Sequence, residues 1–156
     1  NFVKYIYFFY IKENIHLKKK VGSSQNTLSK ILERSKFDPL YTLLKIDIDG
    51  DEYKIINEIK NYNFFGLIIE FENLNKNFKK VEKFICNNKN LELIHIHGNN
   101  FSPVIDHIPD SIELSFVNKN FADVRKKNHK KYPIKNLDYP NNIMKKDIEL
   151  IFKKKL

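Results

Sequence analysis

The feature that most constrains the fold is a buried strand that turns directly into a helix in the first half of the chain. Residues 41–48 form an apolar run of strand-favouring side chains that stops at Asp49-Gly50. From Tyr53 to Tyr62, apolar residues recur every three or four positions, which predicts an amphipathic helix. A strand that leads at once into a helix is typical of an α/β sheet.

The same order occurs a second time. Residues 65–71 predict another buried strand, and the apolar spacing of residues 78–85 predicts another helix. This alternation implies parallel strands joined by right-handed crossovers. Residues 91–96 and 112–117 predict two further strands with no helical pattern between them, so we expect these to pair antiparallel. The predicted fold class is α/β, with a mixed sheet that ends in an antiparallel carboxy-terminal strand pair.

The flanking segments carry weaker patterns. Residues 2–12 favour a helix over a strand, residues 15–17 a short strand, and residues 27–34 a helix followed by the breaker Asp38-Pro39. Residues 147–152 could add an edge strand or dock as a tail. We predict one partial domain over residues 1–156, with a basic carboxy-terminal tail over residues 120–156.

Charge and cysteine content limit the partners. The formal net charge is +9, but the lysine runs are scattered and lack interleaved aromatic residues, so we predict solvated surface and not a nucleic-acid site. Cys86 is the sole cysteine, which favours a reducing compartment and gives no zinc-ligand spacing. The apolar opening is shorter than the ~20 residues of a membrane span. We therefore expect a cytoplasmic protein with no membrane partner.

Polar side chains follow the predicted strands at the edge where open α/β sheets bind ligands. Three groups stand there: Asp47, Asp49 and Glu52 after the first clear strand, Glu70 and Glu72 at the end of the second, and His95, His97, Asn99 and Asn100 at the end of the third. If these strands are neighbours, all three groups could converge on one crevice.

A family resemblance adds to these patterns. Residues 45–53, Lys-Ile-Asp-Ile-Asp-Gly-Asp-Glu-Tyr, resemble the Lys-Ile-Asp-x-Glu-Gly-x-Glu signature of FkbM-family methyltransferases, with Asp49 in place of the usual Glu. Further segments are similar in order and spacing to a bacterial branch of that family, namely residues 66–71, 93–101, 112–116, 137–141 and 147–148. The resemblance extends over residues 15–152.

The resemblance implies a Rossmann-like class I methyltransferase sheet whose last two strands form an antiparallel hairpin. It also implies that S-adenosyl-L-methionine is the methyl donor and that a sugar or glycan hydroxyl is the acceptor. The glycine-rich donor loop of such folds is missing, since the four glycines are isolated, and the chain begins with Asn1. We therefore expect the carboxy-terminal part of the domain, incomplete at its N-terminus, that by itself binds the donor weakly or not at all.

The resemblance places Asp47 near the reacting centre, and with Asp49 and Glu52 near the donor. His97 is a competing general base, because histidine has an unperturbed pKa near ~6.5. The remaining candidates would bind the acceptor: Glu70, Glu72, His95, Asn99 and Asn100.

Each of these assignments has a structural alternative. Asp47 or Asp49 could cap the following helix, and His97 and the two asparagines could serve the loop. The carboxylates could also hold Mg²⁺, although the resemblance gives no support for a metal. At the level of function, the alternative is a non-catalytic remnant or interaction module that keeps the fold.

Overall fold

A computed structural model describes residues 21, 27–123 and 131–150 of the chain. The helix predicted at residues 2–12 and the strand predicted at residues 15–17 lie outside the described residues. The protein is of the mixed α/β class. Within the described part, no helix is long and apolar enough to cross a membrane.

The helix expected after residue 27 is confirmed as α1, Leu28–Ser35. The Thr27 hydroxyl caps it by accepting a hydrogen bond from the Lys30 amide at 3.3 Å. The helix ends at Lys36, which takes a left-handed conformation and donates its N–H to the Leu32 carbonyl. Its buried Leu28 and Leu32 join the core, so the amphipathic spacing identified the packed face correctly.

The first clear strand, β1, is shorter than predicted and comprises Leu43–Ile46. Asp38-Pro39 starts a 3₁₀ turn at Pro39–Tyr41 that takes Tyr41 out of the strand, because the Asp38 carboxylate caps the Leu40 amide at 2.9 Å. At the other end, Asp49 and Gly50 both have positive φ angles, which form the expected tight turn.

The helix predicted after this turn is present in two short pieces, a 3₁₀ turn at Glu52–Lys54 and the helix α2 at Ile56–Ile59. Strand β2 follows at Gly66–Phe71 and then the 14-residue helix α3 at Leu74–Asn87. β1 and β2 pair in parallel, with Ile46 opposite Ile69. The predicted parallel neighbours are therefore confirmed.

The last two predicted strands are β3, Leu91–Gly98, and β6, Ile112–Asn118. They pair antiparallel, as expected, and β6 also pairs antiparallel with β2. The order across the sheet is β1-β2-β6-β3. Between β3 and β6 the chain forms a small hairpin of β4, Val104–Ile105, and β5, Ile108–Pro109, which the sequence patterns did not indicate.

The two faces of the sheet differ in chemistry. One face is packed against α3, where the Phe84 ring lies 6.0 Å from Phe71 and 5.7 Å from Phe116. Because side chains alternate along a strand, the other face carries a polar set of residues. This polar face comprises Lys45, Glu70, His95, His97, Glu113 and Ser115.

Residues 131–150, part of the predicted basic tail, pack along β3. Tyr132 is buried, and it forms an isolated antiparallel bridge with Leu150. The sequence left open whether residues 147–152 form an edge strand or a docked tail. As far as residue 150 they dock, with this one bridge as the sheet-like contact in the described part.

Candidate functional site

Five carboxylates gather where β1 and β2 end, and we call this group the acidic edge. Its members are Asp47, Asp49, Glu52, Glu70 and Glu72. Asp47 is about half exposed, and its carboxylate lies 3.7 Å from the Lys45 ammonium. Asp49 is exposed at the tight turn. Two of the predicted donor-binding residues are thus open to a ligand.

Glu52, the third predicted donor-binding residue, is fully buried. Its Oε1 accepts a hydrogen bond from the Glu72 amide at 2.8 Å, while its buried Oε2 has no hydrogen-bond partner among the described residues. The Tyr53 hydroxyl donates to the Glu72 carbonyl at 2.6 Å. The signature segment therefore binds both the amide and the carbonyl of Glu72, directly after β2.

The electrostatics of the acidic edge centre on Glu72. Burial raises the pKa of the Glu72 carboxyl, and the carboxylates of Asp49, Glu52, Glu70 and Asp47 raise it further. Burial and nearby carboxylates also raise the pKa of Tyr53, so its phenol stays protonated and remains a hydrogen-bond donor. The sequence predicted these acids at one edge, and the raised pKa of Glu72 reflects burial and the four other carboxylates close to it.

Glu70 connects the acidic edge to the third predicted group. Its Oε1 accepts hydrogen bonds from Asn99 Nδ2 at 2.8 Å and from the Ser111 hydroxyl at 2.6 Å. Asn99 also accepts from the Phe101 amide at 2.9 Å, so it serves the loop as well. The sequence patterns missed Ser111, because a serine in a turn gives no signal of a partner about forty residues away.

The two histidines of β3 are paired with carboxylates of the tail. His95 Nε2 lies 2.7 Å from Asp138 Oδ1, and His97 Nε2 lies 3.1 Å from Asp147 Oδ2. These imidazoles are largely shielded from solvent, and His95 Nδ1 is buried without a partner in the described part of the chain. Neither tail aspartate was among the predicted site residues.

Asn100 is buried and its amide is used within the chain. Its Nδ2 donates to the Asn142 carbonyl at 2.9 Å, and its Oδ1 accepts from the Asn142 amide at 2.6 Å. The carbonyls of Lys145 and Lys146 lie 3.3 Å from the same Nδ2. The acceptor-binding role of Asn100 stays a prediction, and its observed contacts hold the tail.

The two candidates for the reacting centre lie far apart. Glu70, Glu113 and His97 are cross-strand partners in one row, and Asp47 directly follows Ile46 on the far strand, β1. Three strand spacings of about 4.8 Å separate β1 from β3, or roughly 14 Å. Asp47 and His97 therefore cannot both contact one acceptor atom.

An open groove of about 510 Å³ lies beside the histidines, between β3, β6 and the tail. Its wall includes His95, His97, Glu113 and Ser115, and the exposed Tyr139 stands at its side. The volume falls in the range of roughly 300–1,000 Å³ that is usual for small-molecule sites. Within residues 21, 27–123 and 131–150, no group of three or more metal-binding side chains is placed to hold a metal ion.

Comparisons with known proteins found no match to the chain among family models, curated proteins or solved structures.

Proposed function

We propose that this chain is the carboxy-terminal part of a Rossmann-like class I methyltransferase domain of the FkbM type. The reaction would move a methyl group from S-adenosyl-L-methionine to a sugar or glycan hydroxyl. The acidic edge carries the proposal, because a strongly basic chain concentrates five carboxylates where its parallel strands end. Open α/β sheets bind ligands at that edge, and carboxyl groups with raised pKa values are frequent at functional sites.

The strand arrangement gives further support. A parallel pair, β1 and β2, is followed by the antiparallel pair β3 and β6, which is the order that the family resemblance implies. The signature residues also lie together at the turn after β1 and contact the end of β2 through Glu52 and Tyr53. Sequence resemblance and spatial clustering thus concern the same residues.

The residues of the acidic edge suit one part of the donor. S-adenosyl-L-methionine supplies a reactive methyl group on a positively charged sulfur, and the exposed carboxylates of Asp47 and Asp49 would favour a cation nearby. Asp47 would orient the acceptor hydroxyl or accept its proton. Glu52 is enclosed and bonded to the Glu72 backbone, so it would act by fixing the strand ends.

A second function has one specific observation in its favour. The buried Glu52 and the Tyr53 hydroxyl account for part of the signature by backbone contacts alone. A chain that keeps those contacts could be a non-catalytic remnant or an interaction module with the same fold. The two functions differ in whether the acidic edge takes part in methyl transfer.

The test begins with calorimetry of S-adenosyl-L-methionine binding to this chain, where we expect weak binding or none. A low-micromolar dissociation constant, about 8 kcal/mol of binding free energy, would mean that the donor site is complete without a glycine-rich loop. Methyl transfer is then measured on a longer chain that includes a glycine-rich half, with a panel of glycans as acceptors. No donor binding and no transfer by that longer chain would overturn the methyltransferase proposal.

In the active longer chain, Asp47→Asn should lower turnover on the order of a hundredfold, because it removes the charge and keeps the shape. Asp106→Asn is the matched control, since Asp106, like Asp47, is an exposed aspartate, and it lies in the β4–β5 hairpin. If Asp47→Asn leaves turnover near normal and His97→Gln abolishes it, the reacting centre lies at the histidines and not at the acidic edge.

A further inference from the structure

The tail presents two large apolar side chains at the tip of a tight turn. The Lys145 amide donates to the Asn142 carbonyl at 3.1 Å, so Ile143 and Met144 occupy the two central positions. Their relative exposures are 86% and 87%, the highest of the exposed large hydrophobic residues in the described chain. Turn centres usually carry glycine, proline or short polar residues. Here two apolar side chains are exposed to solvent, and the conformation of the turn does not require them.

Ile143 and Met144, the apolar tip, are held in place by hydrogen bonds around Asn142. Asn100 bonds the Asn142 backbone at both its amide and its carbonyl, and the Asn142 side chain accepts from the Met144 amide at 3.0 Å. Just after the turn, Asp147 pairs with His97. A fixed tip loses little conformational entropy when it binds, so exposed apolar groups on it favour association.

The two residues that directly follow the tip are positively charged. Lys145 and Lys146 follow it directly and are exposed, whereas the next acid, Asp147, is engaged with His97. The whole chain carries a net charge of +9, which attracts it to any extended anionic surface. Apolar side chains followed by two lysines match the interface of a bilayer that contains anionic lipids.

We propose that the turn of residues 142–146 is a membrane-surface contact. Ile143 and Met144 enter the headgroup region of an anionic bilayer, and Lys145 and Lys146 lie among the lipid phosphates. A protein partner fits less well, because a stable protein interface buries about 800 Å² per partner and this tip offers two side chains. From the sequence we expected no membrane partner, on the ground that no segment is long enough to span. A surface contact needs no spanning segment.

Vesicle sedimentation tests the contact, with phosphatidylcholine alone compared with phosphatidylcholine mixed with phosphatidylserine. We expect the chain to bind the anionic vesicles, and the double change Ile143→Ser/Met144→Ser to lower the partition coefficient about tenfold. The matched control is Val104→Ser/Ile105→Ser, which removes two exposed apolar residues from the β4–β5 hairpin. Failure of the wild-type chain to bind, or equal loss with both pairs, would overturn the proposal.

The lysines are tested in the same way. Lys145→Gln/Lys146→Gln should weaken binding to anionic vesicles more than Lys79→Gln/Lys83→Gln, which removes the same charge from exposed positions on α3. Equal weakening by both pairs would show that net charge alone attracts the chain and that the lysines of the turn make no specific contact, which would overturn the proposal.

Insertion has its own readout, because the chain contains no tryptophan. With Ile143→Trp, fluorescence of the introduced indole should shift to the blue on anionic vesicles, whereas Val104→Trp should show no such shift. An unchanged spectrum for Ile143→Trp on vesicles that bind the chain contradicts insertion.

The oligomeric state of the wild-type chain and of Ile143→Ser/Met144→Ser is measured in solution as the last test. Dimerisation that depends on Ile143 and Met144 would show that the tip contacts a second copy of the chain, and would overturn the membrane contact.

Discussion

The ionisable side chains at the two ends of the sheet's carboxyl edge have different neighbours. At β1 and β2, five carboxylates lie together, and burial and the other four raise the pKa of Glu72. At β3, the side chains of His95 and His97 each have an aspartate partner from the tail. These two histidine–aspartate pairs have a structural role, because they hold the tail against β3. Glu52 and Glu70 also have hydrogen-bond partners, but the Glu72 carboxyl lies among like charges that disfavour its ionised form, so the acidic edge is the better candidate for a ligand site.

This comparison predicts opposite effects of mutation at the two ends. Changes at β3 and the tail should destabilise the protein, because they break satisfied contacts. Removal of the Glu72 charge at the acidic edge should stabilise the protein, because repulsion from the neighbouring carboxylates is relieved. The free energy of unfolding, from denaturant titration, is the common measure for the three predictions below.

Asn100→Ala should have the largest effect. The change removes the hydrogen bonds to both backbone groups of Asn142 from a buried site, which should cost about 2 kcal/mol of unfolding free energy. Amide hydrogen exchange should become faster over residues 142–147. Asn141→Ala is the control at the neighbouring exposed asparagine. If the two changes have equal effects, the hydrogen bonds between Asn100 and the Asn142 backbone do not hold the tail.

Asp138→Asn should have a smaller effect in the same direction. It keeps the shape and the bond from the Ile134 amide but removes the charge that faces His95, which should cost about 1 kcal/mol. The control is Asp106→Asn, at an exposed hairpin position. A stability equal to that of the wild-type chain would mean that the imidazole–carboxylate pair is energetically neutral, and the contrast between the two ends would disappear.

Glu72→Gln should have the smallest effect and the opposite sign, a gain on the order of 0.5 kcal/mol at neutral pH. The folded protein raises the pKa of Glu72, so its protonated form is favoured by folding. That contribution is complete at pH values below the unfolded pKa and is lost as the pH rises through the folded pKa.

The pH dependence separates this cause from others. Wild-type stability minus that of Glu72→Gln should fall as the pH rises across the range in which Glu72 titrates, and should be constant above it. A loss of stability in Glu72→Gln at neutral pH would show that its carboxylate is needed for folding, and the acidic edge would then resemble the β3 end.

Local patterns predicted the elements better than their ends. The helix after Thr27, the parallel pair and the antiparallel pair are confirmed, since each depends on hydrophobic periodicity and on short connections. The bounds of β1 were wrong by two residues at each end, because Asp38 caps a 3₁₀ turn and the chain leaves the sheet before Asp47. The β4–β5 hairpin was missed, since its strands have two residues each.

The sequence by itself determined which residues follow the strands, and therefore that Asp47, Asp49 and Glu70 lie at one edge of the sheet. Only the tertiary structure decided which of the candidate groups have partners. His95 pairs with Asp138, 43 residues away, and His97 with Asp147, 50 residues away. Strand and helix periods arise from neighbouring residues and leave a pattern in the sequence. Contacts across such separations depend on how the tail packs, and no local pattern encodes them.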